Sequence, residues 1–200
     1  MPLIETGVAT AMQEGQAQSG DRHMVTSFID GVLVAVVDGL GHGDEAAAAA
    51  KTAVTILESH AGEPLLSLLR RCHETLRFTR GVVMSLACFS APEGSMTWLG
   101  VGNVEGVLLR ANPKATRPVE SLLLVGGVVG SHLPLLHASA TSVARDDTLI
   151  LATDGIEGSF TEDLTLSDPP QKIAETIIAM HWKKTDDALV LVARCVGCRP

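Results

Sequence analysis

The sequence contains no tyrosine, and aromatic residues make up 3% of the chain. Proteins that bind single-stranded nucleic acids stack bases on aromatic side chains, and proteins that bind duplexes present clustered basic residues. Here the formal net charge is −8, and no basic stripe stands out. The composition therefore argues against a nucleic-acid-binding protein.

A leader peptide and a membrane-spanning pattern are also missing. The N-terminus lacks the basic and then apolar pattern of a signal peptide. The longest apolar region, 122–136, is interrupted by three glycines, a histidine and a proline, which favours buried strand and turn over a membrane span. We therefore expect a cytoplasmic protein without membrane contact.

Cysteine is scarce, with four residues in 200: Cys72, Cys88, Cys195 and Cys198. This number does not suggest a disulfide framework, which is consistent with the cytosol. Cys195 and Cys198 have the spacing of half a zinc site, but no second pair is placed to complete it. We expect no metal site at this end of the chain.

The chain is rich in short apolar runs, and 46% of its residues are hydrophobic, enough for the core of one domain over residues 1–200. Helical spacing of apolar residues predicts helices at 44–60, from 63 or 64 onwards, and at 170–181. Strand patterns at 82–89, 95–99 and 104–110 are separated by short turns and predict a meander. We expect an α+β fold with layered antiparallel sheets, not alternating βαβ units.

One buried-strand pattern, 32–37, ends in Asp38-Gly39-Leu40-Gly41-His42-Gly43 and is followed at once by a helix pattern. Glycine lets other groups approach the backbone closely. A carboxylate on such a loop, beside a helix N-terminus, is a candidate site for a cation, an anion or both.

Asp30-Gly31, just before this strand, predicts a two-residue hairpin turn with positive φ. With strands paired directly across that turn, Asp38 lies opposite His23, and Asp21 lies one or two residues beyond. The hairpin alone therefore brings two carboxylates to one sheet edge.

Further carboxylates occupy equivalent strand ends. Asp154 follows a strand pattern, and Asp186-Asp187 precedes another. In an antiparallel sheet these positions can share one edge with Asp21 and Asp38. Crowded carboxylates repel unless a cation lies between them, and an all-oxygen ligand set favours Mg²⁺ or Mn²⁺ over zinc. In the alternative interpretation, each Asp-Gly is only a turn and Asp186-Asp187 only a solvated cap.

Four motifs together resemble those of the PPM-type, metal-dependent Ser/Thr protein phosphatases, and of their SpoIIE-like bacterial branch in particular. They are Ser19-Gly20-Asp21, the stretch from Asp38 to Gly43, Thr153-Asp154-Gly155-Ile156 and Asp186-Asp187-Ala188. The short chain, without a sensor domain, resembles the stressosome phosphatases of that branch. The resemblance implies a two-layer antiparallel β-sandwich flanked by helices.

The resemblance also implies a site for two Mn²⁺ or Mg²⁺ ions that activate a water molecule to attack phosphoserine or phosphothreonine. Asp38 would bridge the ions, the carbonyl of Gly39 would bind one, and Asp154 and Asp186 would hold the other. Asp21 would act nearby, directly or through a water molecule, and Asp187 would support the ligands. The implied substrates are phosphorylated STAS-domain proteins of a bacterial stress-signalling complex, and we expect a monomer.

The sequence departs from the family pattern at three places. Leu40 stands where larger members carry a histidine that is a candidate proton donor, and Leu189 stands where bacterial relatives usually have threonine. The phosphate-binding arginine matches Arg22 only loosely. His42 is then a candidate proton donor, since histidine is a common general acid, or else it only hydrogen-bonds its loop. Arg80 and Asn103 lie in turns, where a solvated or conformational role competes with a role at the site.

Two other functions stay open at this stage. The departures at Leu40 and Leu189 suggest a decayed phosphatase fold that binds phosphoproteins without hydrolysing them. The Asp38–Gly43 stretch also superficially resembles the adenine-contacting motif of histidine-kinase-type ATP-binding domains. Those domains need an upstream helix with Mg-ATP ligands, whereas only strands are predicted before Asp38.

Overall fold

The computed structural model describes residues 2–15, 18–162 and 164–198. In this part of the chain the strands and helices follow in the order β1 (Ile4–Ala11), β2 (Asp21–Phe28), β3 (Gly31–Gly39), α1 (Asp44–Ser59), α2 (Leu65–Leu76), β4 (Val82–Ser90), β5 (Ser95–Val101), β6 (Glu105–Leu109), β7 (Val119–Ser121), β8 (Leu124–Val125), β9 (Ser139–Ser142), β10 (Thr148–Ala152), α3 (Pro170–His181) and β11 (Ala188–Cys195).

The strands form two sheets. One has the order β1-β11-β10-β6-β7; the other has the order β2-β3-β4-β5-β8, with β9 also pairing with β5. The pairing is antiparallel except between β5 and β8. The predicted α+β architecture of layered antiparallel sheets flanked by helices is confirmed.

The fold has four layers, in the order helices, sheet, sheet and helix, and an apolar cluster lies between each pair of neighbouring layers. The middle cluster fills the space between the sheets, where Val34 and Val36 of β3 share a core with Leu191 of β11. A second cluster joins the other face of β3 to α1 and α2, and a third joins β10 and β11 to α3. Because β3 is covered on both faces, its sequence is an unbroken apolar run instead of an alternating one.

The β2–β3 hairpin forms as predicted, but its predicted register is wrong. Phe28 pairs with Gly31, so Asp38 lies directly opposite Asp21 and not opposite His23. Gly31 does not have the expected positive φ. A Cβ at Gly31 would lie 2.1 Å from the Phe89 carbonyl oxygen. Gly31 therefore belongs to β3, and glycine is required there because β4 lies too close for a side chain.

The predicted three-strand meander is also wrong. β4 and β5 pair as expected, but β6 crosses to the other sheet and pairs with β10. The edge of β5 is taken instead by β8 and β9. Gly102, with φ of 96°, turns the chain between the sheets, and its amide donates to the Val125 carbonyl.

Cys195 and Cys198 form a disulfide that was not predicted from the sequence, with Cα atoms 5.7 Å apart. The chain turns sharply after β11, because the amides of Val196 and Gly197 both donate to the Leu3 carbonyl. This turn brings the two side chains together. Cys72 and Cys88 are free thiols.

No helix among the described residues is both long and apolar enough to cross a membrane.

Candidate active site

A cavity of about 340 Å³ opens at one end of the sandwich. All five predicted carboxylates line it, together with His42 from the loop after β3. The lining also includes Gln13, Val83 and Thr185, which the sequence did not single out for this site. The acidic residues are Asp21, Asp38, Asp154, Asp186 and Asp187, and further lining residues include Gly20, Leu40, Gly41, Asn103 and Thr185.

Strand periodicity explains why carboxylates meet here. Val34 and Val36 face the core between the sheets, so Asp38, two residues further along β3, points the same way. The register then places Asp21 directly opposite it. Asp187 lies two residues before Leu189, which faces the same core from the other sheet. The inner faces of both sheets therefore end in carboxylates.

Thr153 connects the two sheets at this end. Its hydroxyl donates to Asp21 Oδ2 at 2.8 Å and accepts from the Leu189 amide at 2.8 Å. Thr153, Asp21 and Leu189 are all buried. The hydroxyl thus orients the Asp21 carboxylate while keeping β10 and β11 in register. Thr153 belongs to one of the four family-like motifs, but nothing local in the sequence indicates its role, because both partners are distant in the chain.

Asp187 is bound to the backbone of the segment between β1 and β2. Its carboxylate accepts from the amide of Gln13 at 2.9 Å and from that of Gly20 at 3.2 Å. Gly20 directly precedes Asp21. Asp187 therefore fixes the backbone directly before Asp21, which is a supporting role.

Asp154 is held by two polar neighbours. The Asn103 side-chain amide donates to Asp154 Oδ2 at 2.7 Å, and Lys183 Nζ donates to the Asp154 carbonyl at 2.6 Å. Asn103 is therefore a site residue as well as a turn residue. Its position could not be predicted, because β6 crosses between the sheets just after it.

Burial and mutual repulsion shift the pKa values of these acids upwards. Burial and then the Asp21 carboxylate raise the pKa of Asp38 to about 8. Burial raises the pKa of Asp21 to about 7, against the lowering effect of the hydrogen bond from Thr153. The pKa of Asp154 is raised by burial and by Asp186. Near neutral pH the site therefore retains protons that a cation can replace.

The donor set fits a hard divalent cation. Carboxylate oxygens dominate the cavity, and Mg²⁺ and Mn²⁺ prefer oxygen ligands. Among the described residues, no three His, Cys, Asp or Glu side chains converge closely enough to form a finished metal cluster.

Gly39 lies where the helix α1 packs against the end of β3. Its amide donates to the Gly20 carbonyl at 3.2 Å. A Cβ at Gly39 would lie 2.1 Å from the Ala46 carbonyl oxygen, so only glycine lets α1 pack this closely. Close packing of α1 sets the position of the Asp38–Gly43 loop at the cavity.

The structure places Arg22 outside the cavity lining. Its Nη1 donates to the carbonyls of Ser19 and Asp21, and it alternates with Asp21 along β2, towards the face where Met24 packs under α1. Arg22 is thus a loop-stabilising residue in this structure. Nothing in its contacts supports the loose match to a phosphate-binding arginine.

Comparison with known proteins agrees with this geometry. The sequence model described as Stage II sporulation protein E (SpoIIE) matches residues 30–196. The fold is that of the PPM phosphatases. Within this class, the chain belongs to the SpoIIE family. This membership confirms the predicted resemblance and excludes the histidine-kinase-type alternative, whose required upstream helix is replaced by β1, β2 and β3.

Individual relatives point the same way. The chain is 24% identical over 153 residues to phosphoserine phosphatase RsbX of Bacillus subtilis (strain 168), covering 76% of this chain and 75% of that protein. A structure from work on the bacterial stressosome as a modular system adapted to control secondary messenger signalling is 29% identical, with a TM-score of 0.86, covering 96% of this chain and 99% of that one. The structure of RsbX in complex with magnesium is 21% identical, with a TM-score of 0.84, covering 96% and 95%.

Proposed function

We propose that this chain is a Mn²⁺- or Mg²⁺-dependent protein serine/threonine phosphatase that hydrolyses phosphoserine or phosphothreonine in a phosphoprotein. The observation that carries the proposal is the cavity in which five carboxylates from both sheets meet. Family membership supports the same chemistry, since a relative is named a phosphoserine phosphatase. A catalytic domain over residues 1–200 is part of the proposal.

Two ions would be held by Asp38, Asp154 and Asp186, with the Gly39 carbonyl and Asp21 completing the ligand set. When bound, such ions activate water and neutralise charge on the phosphate. The protein's part is to keep its carboxylates in place. Thr153, Asn103 and Asp187 orient the acids through the hydrogen bonds described above.

His42 is the candidate proton donor to the leaving serine oxygen. It lines the cavity on the exposed loop after β3, whereas Leu40 beside it offers no proton. Imidazole side chains are the commonest general acids in enzymes. The leaving alkoxide needs a proton donor of this kind.

The proposed substrates are phosphorylated STAS-domain proteins of a bacterial stressosome, acted on in the cytoplasm by a monomeric enzyme. Two findings support this choice. One relative is RsbX, and the structure from work on the bacterial stressosome is 29% identical over nearly the whole chain. The absence of a membrane-spanning helix among the described residues is compatible with it.

A second candidate function is a phosphoprotein-binding module without hydrolysis. Leu40 in the cavity and the buried Leu189 beside Thr153 favour it, because neither supplies the polar group usual in relatives. Such a module would bind a phosphopeptide without releasing phosphate.

The activity is tested by Mn²⁺-dependent phosphate release from a phosphoserine peptide. Asp38→Asn should lower kcat/KM by at least about 100-fold, since even residues that only support metal ligands are worth 10- to 100-fold. Asp30→Asn, in the turn at the far end of β3, is the matched control and should leave activity unchanged. Full activity in Asp38→Asn would refute the mechanism, and peptide binding without phosphate release by the native protein would favour the module.

A further inference from the structure

A second groove lies directly beside the catalytic cavity. We propose that this groove docks the phosphoprotein substrate, with Phe78 contacting an apolar side chain near the phosphoserine and Arg80 pairing with the substrate's negative charge. This inference rests on the proposed phosphatase function. It assigns the selection of the substrate to Phe78 and Arg80.

The groove has a volume of about 400 Å³ and runs between α1 and the segment that joins α2 to β4. We call it the α1 groove. Its floor is made of small side chains of α1, and Phe78 stands at its side with its ring fully exposed. It is lined by Glu45, Ala48, Ala49, Thr52, Phe78, Thr79 and Arg80.

The segment that presents Phe78 is fixed by its own hydrogen bonds. The Thr79 hydroxyl donates to the Leu76 carbonyl at 2.8 Å and accepts from the Gly81 amide at 3.0 Å. The Thr79 amide also donates to the Leu76 carbonyl. A single exposed apolar side chain needs no special explanation. One held outward on an ordered turn beside a groove is preorganised for contact, so little entropy is lost on binding.

Arg80 lies between the α1 groove and the catalytic cavity. A Cβ at Gly41 would lie 2.7 Å from Arg80 Nη1, so the guanidinium lies against the Gly41 backbone, and Gly41 lines the cavity. The Leu40 amide donates to the Gly81 carbonyl at 3.1 Å, which ties the two loops together. A chain lying in the groove is thus led past Arg80 to the five carboxylates.

Charge favours a phosphorylated occupant. The chain carries a formal charge of −8 and its cavity is lined by carboxylates, so a cationic side chain beside the cavity lowers the repulsion that an approaching phosphate dianion meets. Arg80 is half-exposed there, and its Nε pairs with the exposed Glu45 at 2.5 Å. An exposed ion pair of this kind is weak, so a phosphate can replace Glu45 with little loss. The guanidinium then offers two parallel hydrogen bonds to phosphate oxygens.

The test compares two substrates and two variants. The substrates are p-nitrophenyl phosphate, which is too small to reach the groove, and a phosphoserine peptide with leucines on both sides of the phosphoserine. Phe78→Ala and Arg80→Ala should each raise KM for the peptide by about 10-fold, equivalent to about 1.4 kcal/mol, with kcat unchanged. Phe78→Ala should leave kcat/KM for p-nitrophenyl phosphate unchanged, whereas Arg80→Ala should lower it as well, because this substrate also carries the phosphate that the guanidinium binds.

Matched controls lie outside the groove. Ile29→Ala removes an equally exposed apolar side chain at the far end of β3, and Arg77→Ala removes an exposed arginine one residue before Phe78. Neither should change any of these constants. Equal losses on both substrates in Phe78→Ala, or an unchanged peptide KM in either variant, would overturn the docking surface.

Peptide binding separates this inference from the proposed function. Fluorescence anisotropy of the labelled phosphopeptide should show the same 10-fold rise in Kd for Phe78→Ala and Arg80→Ala. If the native protein hydrolyses neither substrate, the phosphatase proposal fails, and the anisotropy result still decides the docking surface. Unchanged Kd values in both variants would contradict it.

Discussion

At the scale of single residues, the site depends on neutral hydrogen-bond donors as much as on its acids. The five carboxylates could be found from the sequence because each lies next to a strand pattern. Their partners could not, since Thr153 and Asp21 are separated by 132 positions, and Asn103 and Asp154 by 51. Such pairs are created only when the two sheets pack together.

Thr153→Val tests this support, because valine keeps the shape and removes the hydroxyl. The buried Leu189 amide would lose its acceptor, at a cost of about 1 to 3 kcal/mol in the free energy of unfolding. The pKa of Asp21 would rise further, because the bond from Thr153 lowers it. We expect Mn²⁺-dependent kcat/KM to fall by about 10-fold. Thr153→Ser keeps the hydroxyl and should stay close to native activity; equal activity of the two variants would contradict the assigned role.

At the scale of secondary-structure elements, local sequence patterns predicted well which helices and strands exist. They predicted poorly which strands pair with each other. The predicted third helix has the observed bounds of α3, Pro170–His181, because helical spacing is a local property. The predicted register of the β2–β3 hairpin is wrong because the Asp30-Gly31 pattern places both residues in the turn, whereas Gly31 is the first residue of β3. Gly31 is required by contact with β4, and that contact involves a residue far away in the chain.

The packing of α1 on β3 yields a prediction for this pair of elements. In Gly39→Ala the new Cβ would meet the Ala46 carbonyl, and α1 would have to move away from the cavity. Overpacking of this kind costs about 1 to 3 kcal/mol, which corresponds to a fall in Tm of about 2 to 12 °C at this chain length. Gly126→Ala is the control, since a Cβ there meets nothing within 4 Å. Similar melting temperatures for the two variants, measured by circular dichroism, would refute the packing argument.

At the scale of the whole molecule, the sequence predicted which carboxylates meet but not which sheets supply them. Strand-end positions bring all five acids to one cavity, as expected for antiparallel strands. The crossing of β6 was missed because a short turn such as Gly102-Asn103 looks the same whether the next strand stays in its sheet or leaves it. The disulfide between Cys195 and Cys198 was missed because it depends on the backbone of Leu3.

The convergence of acids makes the stability of the whole fold depend on pH. Asp21 and Asp38 have folded-state pKa values of about 7 and about 8, against an ordinary aspartate pKa of 3.8. At pH values between 3.8 and about 8, the folded state therefore binds more protons than the unfolded state does. The stability of the metal-free protein is therefore greatest below about pH 4 as far as these groups are concerned, and it falls as pH rises through 7 to 8. A divalent cation that binds only the folded state reverses the loss.

Thermal unfolding at pH 5 and pH 8, with and without Mn²⁺, tests the shared carboxylate site most directly. At pH 8 we expect Mn²⁺ at about 100 times its Kd to raise the Tm of the native protein by roughly 5 to 11 °C, and to raise it less at pH 5. Asp38→Asn should melt higher than the native protein without metal at pH 8, because one buried charge is gone, and should lose most of the Mn²⁺ effect. No Mn²⁺ effect on the native protein, or the same effect on both proteins, would contradict a cation site built from these acids.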